Sequence, residues 1–187
     1  LYYIGTAQSP EGEIVEMKPQ WLGAQLFTAA HTRDASGTNW GLLLVFLDPD
    51  GVEHRVAIAK SLLAGSGEEL RAILLSEGYQ MTTIPARRAK LIAYIGSAKP
   101  EARARCVLRT GWHDGVFVLP TRTYGEQRGE TVIFQGATAD SVALGTAGTL
   151  DGWRQHVAVA CAGNSRLVLS LSAAFAGPCL GLLDSEG

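Results

Sequence analysis

Polar and apolar residues along this chain switch between period two and helical spacing, and the switches mark the elements. Leu26-Phe-Thr-Ala-Ala30 reads as the first clear strand, followed by a turn at Arg33–Gly37. Trp40 to Leu47 is a nearly unbroken apolar run, the pattern of a strand covered on both faces. Asp48-Pro-Asp-Gly51 is a tight-turn sequence. The return strand alternates, with Val52, His54, Val56 and Ile58 on one side and Glu53 and Arg55 on the other. Ser66-Gly-Glu-Glu69 has the spacing of a capping box, so a helix capped by Ser66 is predicted. It carries a stripe of Leu70, Ile73 and Leu74 and stops at Gly78. Tyr79–Thr83 reads as a short strand. Pro85 opens a second helix to about Ser97, with Arg88, Leu91, Ile92 and Ile95 on one side and Arg87 and Lys90 towards the other.

Alternation returns over Ala104–Leu119, which is read as a second hairpin turned by His113-Asp-Gly115. Cys106, Leu108, Thr110 and Trp112 fall on one face and Arg105, Val107 and Arg109 on the other. A polar loop, Thr121–Glu130, leads to a short strand at Thr131–Gln135. Gly136–Gly148, rich in small residues, reads as a mobile connector. Helical spacing resumes with Leu150, Trp153, Val157, Ala160 and Cys161, Asp151 lying in the first turn. Asn164 or Ser165 caps the next helix, and Pro178 is expected to kink or end it. Leu167–Leu183 has no charge at all. Its length of about 17 residues is the lower limit for a membrane span. Ser170, Ser172, Gly177, Pro178 and Gly181 within it favour a buried helix of a soluble protein. Strands and helices do not follow a βαβ order, so the fold class is α+β: two β-hairpins and short strands, about four helices, and apolar helices at the C-terminal end. Three segments are expected: an irregular arm over 1–24, a mixed α+β domain over 25–146, and a helical segment over 147–187.

Composition adds bounds. The chain has 187 residues, 47% hydrophobic and 18% charged, enough for a real core. A net charge of −2 argues against a strongly basic surface overall, though not against a local one. Cys106, Cys161 and Cys179 lack C-x-x-C spacing and read as reduced core cysteines of a cytoplasmic protein. The four tryptophans, Trp21, Trp40, Trp112 and Trp153, also read as core.

Little in the spacing supports catalysis. Gly65-Ser-Gly67 and Gly145–Thr149 have the glycines of a phosphate loop but no following Lys. His31, His54, His113 and His156 show no metal-ligand spacing. Cys106 and His113 could approach each other across the second hairpin, but nothing in the sequence supplies an orienting group or oxyanion site. The charge pattern that invites a function is Arg87, Arg88 and Lys90 on a helix, then Arg103, Arg105 and Arg109 around the following strand. If helix and strand are neighbours, these six could line a strip for phosphates, with Tyr94 or Trp112 stacking a base. The alternative, which the net charge favours, is that they are solvated faces with local partners such as Glu101.

Several strings together resemble a known family. Arg109-Thr-Gly-Trp112-His113 leads into Phe117–Pro120 and Val132–Gln135, then Gly148-Thr-Leu-Asp-Gly-Trp153-Arg154, Gly163-Asn-Ser-Arg-Leu167 and Leu171–Pro178. This order is similar to a bacterial domain of unknown function that precedes a P-loop ATPase in primase- and helicase-like proteins of phages, plasmids and integrative elements. The resemblance covers most of residues 25–187 and is strongest from 103 onward. It implies an accessory, non-catalytic role in DNA replication. The partners would be the ATPase core of the same polypeptide, single-stranded DNA, and further subunits of a homo-oligomer, with no membrane involved. ATP and Mg would belong to the ATPase part, and no cofactor is expected in this segment. Leu1 and Gly187 are then expected to be cut ends. The interface would be the apolar helices, with Trp153, Leu167, Leu171 and Phe175 on it. The competing expectation is a purely structural or oligomerisation module that makes no nucleic-acid contact.

Overall fold

The computed structural model describes residues 1–120, 122–126, 129–135 and 147–180. The expected connector at Gly136–Gly148 and the last residues of Leu167–Leu183 lie largely or partly outside the described residues. Helices and strands are mixed, in keeping with an α+β class. The chain divides into two compact units: residues 1–106 with 129–131, and residues 107–128 with 132–187.

The first unit begins with four short strands: β1 (Tyr2–Tyr3), β2 (Thr6–Gln8), β3 (Ile14–Glu16) and β4 (Gln20–Trp21). They form two antiparallel ribbons, β1 with β4 and β2 with β3. The main strands are β5 (Leu26–Arg33), β6 (Gly41–Leu47), β7 (Glu53–Ala59) and β8 (Arg103–Val107), lying side by side in the order β8-β5-β6-β7. β6 and β7 form the predicted hairpin, with Phe46 opposite His54. Asp48 builds its turn: Oδ1 accepts from the backbone N–H of Asp50 and Val52 at 2.9 and 2.8 Å. β5 has a bulge between Thr28 and Ala30.

A 3₁₀ turn (Lys60–Leu63) leads to α1 (Glu68–Ser76) and α2 (Pro85–Ser97). Leu70 and Leu74 of α1 and Leu91 and Ile95 of α2 are buried with Leu22, Leu26, Leu42, Leu44, Phe46, Ile58 and Tyr79 in one core. Two expectations need correction here. Ser66 does not cap α1. The cap is Gly67, in the left-handed region at φ 65°, and it makes no side-chain cap bond. Gly67 lies so close to Ile92 that an added Cβ would sit 3.0 Å from it, so tertiary packing overrides the local capping box. Tyr79–Thr83 is not a strand, only an isolated bridge of Met81 to Gly23. Gly78 does end α1, at φ 82°. The N–H groups of Gly78 and Tyr79 bond the carbonyls of Leu75 and Leu74, the paired closure of a Schellman motif.

The second unit contains β9 (Gly111–His113), β10 (Val116–Val118), β11 (Thr123–Tyr124) and β12 (Thr131–Phe134). Val107, Val116, Val118 and Val132 form its small core. The second hairpin is shorter than the alternation suggests. Within Ala104–Leu119, β9 and β10 pair as the hairpin, around Asp114 and Gly115 at φ 46° and 86°, and β11 pairs antiparallel on the other side of β10. β8 instead runs parallel to β5, with His31 opposite Arg103 and Arg33 opposite Arg105. Between β8 and β9, Leu108, Arg109 and Thr110 are exposed bends. They continue the alternation by chance, so period alone could not locate the break.

The unit ends in helices: α3 (Leu150–Trp153), a π-helical turn (Arg154–Ala158), α4 (Val159–Cys161) and α5 (Ser165–Leu180). Thr149 caps α3 and Asn164 caps α5 through their side-chain oxygens. α5 continues past Pro178 by two residues instead of stopping there. None of the four tryptophans is fully buried, and Trp40 is exposed. This corrects the core reading; the large ring rarely loses all contact with water. Cys106 and Cys161 are buried, whereas Cys179 is exposed.

Candidate functional site

The feature that stands out in the first unit is one end of its sheet. The parallel register of β5 and β8 sets His31 beside Arg103 and Arg33 beside Arg105, so four basic side chains share one face. Trp40 stands at the same end. Its ring lies 6.5 Å from His31, edge-on at 78°. The N–H of Lys60 bonds the carbonyl of Trp40 at 2.9 Å, which brings that lysine to the cluster. His31 titrates below its ordinary value, first because it is desolvated and then because Lys60 and Arg103 repel a proton.

Two carboxylates at this end have partners of their own. Arg33 bonds Glu130 at 2.9 Å. Asp34 is turned into its own loop, accepting from the Thr38 N–H and hydroxyl and from Asn39. Like charges placed opposite one another on neighbouring strands destabilise a sheet. Such a cost is offset when an anion with several oxygens sits between the cations, as a phosphate does.

The six basic residues singled out from the sequence fall into three groups. Arg103 and Arg105 lie in the cluster just described. Arg87, Arg88 and Lys90 lie in the first half of α2, towards its other end. There the Arg88 Nε–H donates to the Thr82 carbonyl at 3.0 Å. Lys90 donates to Gln20 at 2.9 Å and lies 3.9 Å from the centre of the Tyr3 ring. Arg109 is in the second unit, exposed, between β8 and β9. Arg33, His31, Lys60 and Trp40 were not read from the sequence as site residues. Only the parallel pairing of β5 with β8, some 70 residues apart in the chain, reveals them.

Of the proposed interface residues, Trp153 and Phe175 meet edge to face, 5.8 Å apart at 89°. Leu171 is half-buried and Leu167 exposed. On the same helix Leu169 and Phe175 are 70% and 57% exposed. Trp112, packed edge-on against Phe117, donates its indole N–H to the Pro178 carbonyl.

Other chemistry finds little footing. Cys106 is buried, and that burial pushes its thiol up to about 11, far from a reactive thiolate. Among the described residues no three His, Cys, Asp or Glu side chains are grouped as metal ligands. No described helix is long and apolar enough to cross a membrane.

No curated protein matches the chain. The family model for the Domain of unknown function (DUF927) matches residues 1–187, and the chain belongs to that family.

Proposed function

We propose that this chain is a non-catalytic accessory domain of a replication helicase- or primase-like ATPase of a mobile element, and that it contacts single-stranded DNA. The observation that supports the contact is the like-charged ladder of His31, Arg33, Arg103 and Arg105, flanked by Lys60 and Trp40. Cations held together on one face suit a phosphate backbone, and an exposed indole nearby suits a base. The replication setting rests on the family resemblance of the sequence motifs. In that setting the protein acts in the cytoplasm, and ATP and Mg serve the motor rather than this domain.

Fluorescence anisotropy with labelled single-stranded and duplex DNA across a salt series tests the contact. Saturable binding that weakens steeply with salt is expected. Each phosphate contact to single-stranded DNA contributes about 0.7 to the slope of log K against log salt. Replacing Arg103 and Arg105 by Ala should therefore flatten the slope by about 1.4. An unchanged slope, or no binding at low salt, would refute the reading.

A second reading, a structural or oligomerisation module without nucleic-acid contact, is favoured by the exposure of Leu169 and Phe175 on α5. It requires a mass that rises with protein concentration in sedimentation. A monomer at every concentration would dismiss it.

A further inference from the structure

We infer that the groove between the start of β5 and the last turn of α2 is a stacking subsite for one unpaired base of single-stranded DNA. The inference rests on the DNA reading above and adds where a base would go. The groove has a volume of about 340 Å³, and Phe27, Thr28, Tyr94, Ser97, Lys99 and Pro100 line it. Two aromatic rings flank it, and neither is used up by the core. Leu26 takes the buried position on β5 while Phe27 stays 54% exposed, and Tyr94 is 40% exposed on α2. Two rings open to water beside one groove form a platform that any base face can use, which a lone surface aromatic does not.

The polar groups suit a base edge and its phosphate. The Thr28 hydroxyl oxygen is buried and has no hydrogen-bond partner among the described residues. A hydroxyl can both donate and accept, so it can serve either kind of edge atom. The Ser97 hydroxyl donates to the Tyr94 carbonyl at 2.8 Å, which leaves its lone pairs available. The Tyr94 hydroxyl is 3.4 Å from the Leu26 carbonyl, at the long limit of a hydrogen bond, so it too can turn to a ligand. Lys99 supplies an exposed ammonium.

Position ties the groove to the basic face. Residues 97–105 carry Lys99, Arg103 and Arg105 against the single carboxylate of Glu101. Thr28 precedes His31 by three residues on β5, on the order of 10 Å along a strand. The His31 N–H bonds the Ala102 carbonyl at 2.9 Å, so the chain leaving the groove at Pro100 runs directly into the strand that carries Arg103. One strand could place a base in the groove and its neighbouring phosphate at the cluster. A duplex could not, because its bases are already stacked and paired.

The test uses the intact chain and an oligothymidine with one 2-aminopurine, whose fluorescence reports stacking. Phe27→Ala with Tyr94→Ala should weaken single-strand binding about tenfold, since a stacked base contributes roughly 5- to 150-fold in affinity. The salt slope should stay as in the unmutated chain, and the 2-aminopurine signal change on binding should be lost. Phe27→Leu with Tyr94→Leu keeps apolar contact without the aromatic faces and should give the same result. It serves if the alanine pair melts early. Binding within about twofold of the unmutated chain, with the 2-aminopurine signal retained, would overturn the subsite but leave the basic face standing. No binding by the unmutated chain at low salt would overturn both.

Discussion

Replacing Tyr79 by Phe removes one oxygen from the best-defined tertiary joint of the first unit, and its cost can be worked from the structure. The Tyr79 side chain is 1% exposed. Its hydroxyl donates to the Ala24 carbonyl at 2.9 Å. The Ala24 N–H in turn donates to the Gln80 carbonyl at 2.8 Å, and the Thr82 N–H to the Leu22 carbonyl at 2.9 Å. The hydroxyl thus fastens residues 22–24 to the segment that leaves α1. Without it the Ala24 carbonyl loses that donor in a site with little water. A buried acceptor left unsatisfied costs about 1–3 kcal/mol. Phe is easier to bury than Tyr, which offsets part of that, so a net loss of about 1–2 kcal/mol is expected. The ring's edge-to-face contact with Phe46, 5.1 Å between centroids, survives the substitution.

Urea unfolding followed by tryptophan fluorescence is the assay, with m compared between variants. For an m of about 2 kcal/mol/M, the middle of the usual range in urea, the midpoint should fall by roughly 0.5–1 M with m unchanged. Gly23→Ala provides an internal check. Its Cβ would lie 2.6 Å from the Tyr79 hydroxyl but also 2.8 Å from the Gln80 carbonyl. Removing the hydroxyl relieves only the first clash, so Tyr79→Phe should rescue Gly23→Ala in part. A midpoint for Tyr79→Phe equal to that of the unmutated chain would refute the assigned role of the hydroxyl. Full rescue of Gly23→Ala would refute the tight backbone approach at Gln80.

Two further outcomes follow from titration and burial. His54 is held between Asp48 and Glu77 at 2.9 and 3.1 Å, and these hydrogen bonds, Asp48's first, raise its pKa above 6.5. Its contribution to stability is therefore complete below pH 6.5 and fades as pH rises through the raised value. His31, with its pKa lowered, works in the opposite sense, contributing above 6.5 and losing that contribution as pH falls. The stability difference between the unmutated chain and His54→Gln isolates the first effect. It should shrink from mildly acidic to mildly alkaline pH in urea melts, and a difference that is flat or grows would be contrary. In a thiol titration of the native chain, Cys179 should react quickly while Cys106 and Cys161 wait for denaturant, and three fast thiols would contradict the burial.

Much of the fold was legible because its signals are local. Asp48-Pro-Asp-Gly51 carries the β6–β7 turn in four residues, and the Leu70 and Leu74 and the Leu91 and Ile95 spacings each place a helix face in the core. Gly78 marks a helix end for a reason visible in any sequence, its freedom at positive φ. Where the reading failed, a distant neighbour decided the outcome. Ser66 lost its cap to Gly67 because α2 brings Ile92 against that position. The alternation through Leu108–Thr110 concealed a strand end because period two carries no information about partners.

The basic face was half legible for the same reason. Arg103 and Arg105 are two apart on a strand, so sequence alone places them on one side. Nothing in the sequence pairs them with residues 31 and 33. The parallel register does so, and a shift of one residue would turn His31 and Arg33 away from their partners. Arg87, Arg88 and Lys90 lie in the first half of α2, and residues 98–102 separate the end of that helix from β8. Arg88 and Lys90 are also already engaged, Arg88 by Thr82 and Lys90 by Gln20 and Tyr3. A strip assembled from composition would give all six residues equal weight. The fold instead concentrates charge where β5 meets β8. If DNA binds this unit, Arg103 and Arg105 should dominate the salt dependence, while Arg88 and Lys90 should matter more to the stability of the first unit than to the ligand.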